Sequence, residues 1–171
     1  MKKRIFASCL MVVAVSVCGA AQNSSARGPS TPEERARAVA IAHKLEAAPL
    51  DDSLTSEREW ALKWLIEVPD LTVSVCTDIL GKDFFKTKYK YRSNLVVQLT
   101  LSSAAFIIEH PDQAGDKVAI YTAGADGALK AYAAIVKDYP KATWKTLDEP
   151  MEKKGQGQLA DFVRENSRSC K

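Results

Sequence analysis

Apolar side chains recur at every third or fourth position along most of this chain, the period of a helix packed on one face. In "TPEERARAVAIAHKLEAAP" the recurring positions are Ala38, Ile41, Ala42 and Leu45. Thr31 can cap that segment, Pro32 suits its first turn, Glu34 completes a capping box and Pro49 ends it. "SEREWALKWLIEVP" predicts a second helix, with Ser56 and Glu59 as another capping box. Glu59, Lys63 and Glu67 make one narrow charged stripe, while Trp60, Ala61, Leu62, Trp64, Leu65 and Ile66 cover most of the rest. A helix apolar over so much of its circumference is expected to be largely buried.

"SNLVVQLTLSSAAFIIEHP" predicts a third, central helix, capped by Ser93 or Asn94 and ended by Pro111. "DKVAIYTAGADGALKAYAAIVKDYP" predicts a fourth. Its Ala123, Gly127 and Ala131 form a ridge of small side chains that would let another helix approach closely. The alternative is that Gly124 and Gly127 break it, since each costs about 1 kcal/mol relative to alanine. Pro150, Gly155 and Gly157 then mark a loop, and "QLADFVRENSRSC" closes the chain with Leu159, Phe162 and Val163 on one face.

Two stretches depart from the helical period. Leu71, Val73 and Val75 alternate with Thr72 and Ser74 as in a strand, but "CTDILG" reads as a helical turn stopped by Gly81, and a short helix is the preferred reading. In "KDFFKTKYKYRS", Lys86, Lys88, Lys90 and Arg92 alternate with Phe85, Thr87, Tyr89 and Tyr91. An extended backbone would put the bases on one face and the aromatics on the other; if part of the stretch is the first turn of the third helix, the alternation means little. The sum is an all-α, single-domain bundle of about five helices over residues 31–171, with a short extended segment near 71–75 or 85–91.

The N-terminus reads differently. Lys2, Lys3 and Arg4 precede an apolar run from Ile5 to Val17, and "CGAAQ" supplies small residues. That is the pattern of a secretory signal peptide, residues 1–21, cleaved after Ala20 or Ala21. The run is too short for a membrane span, so no transmembrane segment is expected after its removal. A second reading makes Cys18 a lipoprotein acylation site, with Val17 where a small residue normally precedes such a cysteine. Residues 22–30 are polar and small, and predict a disordered leader.

Export changes the charge balance. The chain has 24 Lys+Arg and 21 Asp+Glu. Loss of the three N-terminal bases leaves the signs equal, so a general nucleic-acid binder is not indicated and any basic function must be local. Cys76 and Cys170 are the cysteines left after processing and are expected to pair in an oxidising compartment, periplasmic or extracellular. Such a bridge closes a loop of about 95 residues and stabilises by roughly 4–5 kcal/mol in the chain-entropy model.

Catalytic signals are poor. His43 reads as a boundary residue on the first helix, and Glu109-His110 as a helix C-terminus before Pro111. Asp51-Asp52 and Asp148-Glu149 read as helix caps. No P-loop, Gly-x-Ser-x-Gly, Gly-x-Gly-x-x-Gly or metal-ligand spacing occurs, so no catalytic residue, metal or cofactor is assigned. "ALKAYAAIVKDYP", from Ala128 to Pro140, resembles the second helix of a tetratricopeptide repeat, with Ala128, Tyr132 and Pro140 at that family's spacing and Ile135 where the pattern has a small residue. It has no second copy and implies a helix rather than an activity.

The basic and aromatic strip is thus the candidate binding surface: Lys86, Lys88, Tyr89, Lys90, Tyr91 and Arg92. Its plain reading is aromatics packed on the bundle, with lysines keeping an edge soluble. Its functional reading is a contact for a macromolecular partner or anionic surface in the envelope. The expected function is therefore non-enzymatic binding, with a small carboxylate- and His110-dependent hydrolase or transferase as the alternative.

Overall fold

The computed structural model describes residues 27–170; the expected signal peptide, residues 1–21, and the acylation reading of Cys18 lie outside them. Six α-helices and no strand form among the described residues: α1 Pro32–Ala47, α2 Thr55–Glu67, α3 Arg92–Glu109, α4 Lys117–Asp138, α5 Asp148–Gly155 and α6 Leu159–Asn166. The helix beyond the expected five is α5, which forms where a loop was predicted. Pro150 lies in its first turn, where no intrahelical N–H bond is required, and Asp148 and Glu149 at its start with Lys153 and Lys154 at its end suit the helix dipole. None of the described helices is long and apolar enough to cross a membrane.

The capping box of α1 forms as expected: the Glu34 amide donates to Thr31 Oγ1 at 3.2 Å, and the Thr31 amide donates to Glu34 Oε2 at 3.0 Å. The caps predicted for α2 and α3 do not, and Asp148 and Glu149 lie inside α5, which has no side-chain cap. Asp51 caps a 3₁₀ turn, Asp52–Leu54, and α2 follows directly without a side-chain cap, so Ser56 and Glu59 form no box. Arg92 opens α3 behind Tyr91, also uncapped, and Asn94 instead donates to the Pro49 carbonyl at 3.2 Å.

The α3–α4 hairpin is the centre of the bundle, and the small residues of α4 explain why. A Cβ on Gly124 would lie 2.2 Å from Ser103 Oγ, and one on Gly127 would lie 1.9 Å from Ser102 Oγ. The glycines therefore do not break α4; they admit α3. The stretch that resembles a repeat helix is the second half of this longer helix, with Ile135 buried. Helix α1 packs on both α3 and α4, and a chain of polar groups fixes the three. Gln98 Nε2 donates to the Ala42 carbonyl at 3.0 Å and to Ser102 Oγ at 2.8 Å; Ser102 donates to Glu46 at 2.9 Å; Lys130 of α4 reaches Glu46 at 3.1 Å. Gln98 and Ser102 are buried and Glu46 nearly so, and each has a partner.

Helix α2 sits at the edge, against α1 and α3. Only its Ala61 and Trp64 are fully buried, and Ile66 is 85% exposed, so the expected burial around most of its circumference is not found. Trp60 stacks on Trp64 with ring centroids 5.9 Å apart, and the Arg37 guanidinium lies 3.8 Å above the Trp60 ring. Those rings pack within the fold rather than forming an open platform.

Residues 71–76 are neither strand nor helix: Leu71 and Cys76 are buried, Val75 is exposed, and no strand among the described residues is available to pair with the backbone. The expected helical turn is the 3₁₀ turn Thr77–Leu80, closed by Gly81 at φ 110°. The last residues of the leader, 27–30, are fastened rather than loose. Arg27 pairs with Glu34 and Glu67, and the Ser30 amide and hydroxyl both donate to Asp70 at 2.9 Å. Those bonds, with one from Arg35, hold the Asp70 carboxyl down to about 2.

Cys76 and Cys170 stand at disulfide distance, with Cα atoms 5.8 Å apart, inside the range a bridge spans. Ser169 donates to Asp78 at 2.9 Å beside them. The C-terminal segment is thus fixed to the turn that precedes Gly81.

The helix crossing gives one test. Gly127→Ala should lower the melting temperature by the equivalent of about 1–3 kcal/mol, because overpacking outweighs the propensity gain of about 1 kcal/mol. Gly155→Ala, whose Cβ would meet nothing within 4 Å, should leave the melting temperature unchanged or raise it. The cysteines give a second: thiol titration of the unreduced, unfolded mature protein should find no free thiol, whereas two titratable thiols would mean the pair is not joined.

Candidate functional site

The strip is not extended. After Gly81 the chain turns twice, with the Phe84 amide donating to the Gly81 carbonyl at 2.9 Å and the Lys86 amide to the Asp83 carbonyl at 3.0 Å. Gly81 is required there: besides its positive φ, a Cβ would meet the Thr146 carbonyl at 3.0 Å. Phe84 is buried, whereas Phe85, the next ring, is 60% exposed. The predicted separation into a basic and an aromatic face is therefore lost at its first aromatic.

What organises the corner is Trp144. Tyr89 stacks on it, with centroids 4.5 Å apart and planes 7° from parallel, and Tyr89 Oη donates to the Ala142 carbonyl at 2.9 Å. Burial, first, and then the neighbouring hydroxyls of Tyr132 and Tyr91 push the Tyr89 phenol well above its ordinary range, so it stays neutral. Trp144 Nε1 donates to Thr87 Oγ1 at 3.0 Å, and the Trp144 amide to Tyr132 Oη at 2.7 Å. Tyr91 faces Tyr139 at 6.1 Å, and Tyr139 is 51% exposed.

The six candidate residues therefore part company. Lys88 and Lys90 are exposed and form no ion pair among the described residues, and Lys90 Nζ lies 5.0 Å from the Tyr91 ring. Lys86 is paired with Asp83 at 2.8 Å, which raises its pKa. Tyr89 and Tyr91 are half-buried. Arg92 does not join the basic face: its guanidinium lies between the rings of Phe85 and Trp144, 5.7 and 5.8 Å from their centroids, with Nε and Nη2 buried. It acts as the first residue of α3 and as packing. The residues missed from the sequence are Tyr139 and Trp144, with Lys141 and Lys145 exposed on the same segment. "YPKATWK", residues 139–145, shows the same mixture of rings and lysines, which was the signal available.

His110 ends α3 directly after Glu109, as expected, and His43 lies half-exposed on α1. His110 is exposed and lies against Phe106, with ring centroids 4.6 Å apart; it makes no ion pair with Glu109. Glu109 instead meets His43 Nε2 at 3.2 Å, and Glu46 lies 3.5 Å from His43 Nδ1. Neither of two surface clefts, of about 910 and 370 Å³, is lined by a histidine. No family model, curated protein or solved structure matches this chain.

The His43 bridge links α1 to the end of α3. Partial burial lowers its pKa, but the bond to Glu109 and the charge of Glu46 outweigh this, and the net direction is upward. Its contribution is thus full below the unfolded value of about 6.5 and is lost as pH rises through the higher folded value. His43→Gln should therefore be less stable than the parent at pH 6, and the difference should shrink by pH 8. Melting temperatures measured across that range check this; a difference independent of pH would exclude the ionic link.

Proposed function

We propose that the protein is an exported, non-enzymatic binding protein that docks on an anionic lipid surface through the corner built around Trp144. One observation carries this reading: two exposed rings, Phe85 and Tyr139, flank a packed aromatic stack beside exposed Lys88 and Lys90, which form no ion pair among the described residues. The amphipathic ring of Tyr139 suits the headgroup level of a bilayer, the apolar ring of Phe85 can enter the acyl boundary, and lysines near an anionic leaflet are worth about 1 kcal/mol each. Stacked, hydrogen-bonded rings behind them hold the exposed groups without further ordering, which lowers the cost of binding. Export is supported by the basic, apolar and small-residue pattern of the N-terminus and by the pairing distance of Cys76 and Cys170.

Sedimentation with vesicles tests it. The mature protein should co-sediment with phosphatidylglycerol vesicles at low salt, not with phosphatidylcholine alone, and be released at about 0.5 M salt as the charges are screened. Lys88→Glu with Lys90→Glu should abolish sedimentation while changing stability by no more than about 1 kcal/mol for each exposed charge. Tyr89→Ala should instead lower the melting temperature, removing a half-buried ring at a cost of a few kcal/mol. Retention on heparin without retention on vesicles would point to an acidic glycan and overturn the lipid reading, as would retention on neither.

A further inference from the structure

The larger cleft, about 910 Å³, shares Thr87 with the aromatic corner but is lined by none of its rings. Three segments wall it: the turn after Gly81, the stretch from Lys145 to Lys153, and α6. Its charges fall into two groups. Asp83 and Asp161 are already neutralised, by Lys86 and Arg164. Lys82, Lys145, Glu149 and Glu165 also line the cleft but form no ion pair among the described residues, and Lys153 donates only to the amide oxygen of Gln158, at 3.2 Å. Lysines and glutamates thus face one cleft without neutralising one another.

We propose that this cleft binds a short peptide bearing free groups of both signs, its ammonium directed to Glu149 and Glu165 and its carboxylate to Lys82, Lys145 and Lys153. A ligand of one sign would meet its own charge: an anion would face the glutamates, and a cation the three lysines. A ligand with both, separated along its length, satisfies both sets. The volume is near the upper end of the roughly 300–1,000 Å³ usual for ligand clefts, too large for a single amino acid to fill. Phe162, only 6% exposed, is the apolar ring in the lining. The walls are held before any ligand arrives, because Cys170 and Ser169 are fixed to Cys76 and Asp78 just ahead of Gly81. Pre-formed walls spare the ligand the cost of ordering them. This inference is independent of the lipid-docking reading, which uses Lys88, Lys90, Phe85 and Tyr139, none of which lines the cleft.

An amide-resolved NMR titration of the mature protein with tri-alanine, N-acetyl tri-alanine and tri-alanine amide tests it. Tri-alanine should move signals of residues 81–87, 145–153 and 158–166 and leave those of α1 and α2 in place. Blocking either end should weaken binding about tenfold, the worth of one charge-assisted hydrogen bond. Glu165→Gln and Lys145→Gln, both exposed, should each weaken it similarly without lowering the melting temperature. Lys88→Glu with Lys90→Glu should leave it unchanged. Equal binding of the blocked peptides, shifts scattered outside the cleft, or none at millimolar peptide would overturn the proposal.

Discussion

Gly124 and Gly127 set α4 down on the serines of α3, and the arrangement of the other helices follows from that contact. Ordinary side chains would hold the two backbones apart. With them absent, Ser102 is enclosed, and a buried hydroxyl needs partners. It finds them in Gln98 of its own helix and Glu46 of α1, and Glu46 in turn draws Lys130 from α4. Asp126, one turn before Lys130, is partly buried, yet bonds to Lys154 and Lys130 hold its carboxyl below the ordinary range. The close crossing thus converts three apolar helices into a set with one relative position, because a slip of one turn would leave a buried polar group without its partner.

The helices were legible because their information is local. The period of Ala38, Ile41, Ala42 and Leu45, and the Thr31–Glu34 box, depend on residues within one or two turns. Gly127 and Ala131 of α4 were legible as a site of close approach, though not Gly124, which was read only as a possible break, nor the serines that fill it. Errors arose where a helix's surroundings decide the outcome. Trp60, Leu65 and Ile66 make α2 look buried on nearly every side, yet an edge helix has only two neighbours to offer. Asn94 has the chemistry of a cap, but the Pro49 carbonyl lies within its reach and takes its amide.

The candidate surface was legible only in part for the same reason. Lys88 and Lys90 are exposed as alternation implied. Alternation presumes a strand, however, and a strand presumes a partner; without one, the chain turns around Gly81 and Phe84. Once it turns, Phe85 faces outward and Arg92 inward. Trp144, more than 50 residues along the chain, then decides which rings are held. His43 and Glu109 illustrate the converse, since neighbours in sequence, Glu109 and His110, point apart while residues on different helices meet.

Joined as a disulfide, the cysteine pair would also fix how load passes through the molecule. Cys170 lies at the end of the described chain, and Cys76 lies between α2 and α3. Tension applied between the two ends would run through α1, α2 and the irregular stretch to Cys76, then cross directly to Cys170. Helices α3 to α6 lie off that path and would bear none of it. Pulling would therefore peel α1 and α2 away from a closed four-helix ring, so the chain has one extensible arm and one part whose length under force is fixed by a covalent short circuit.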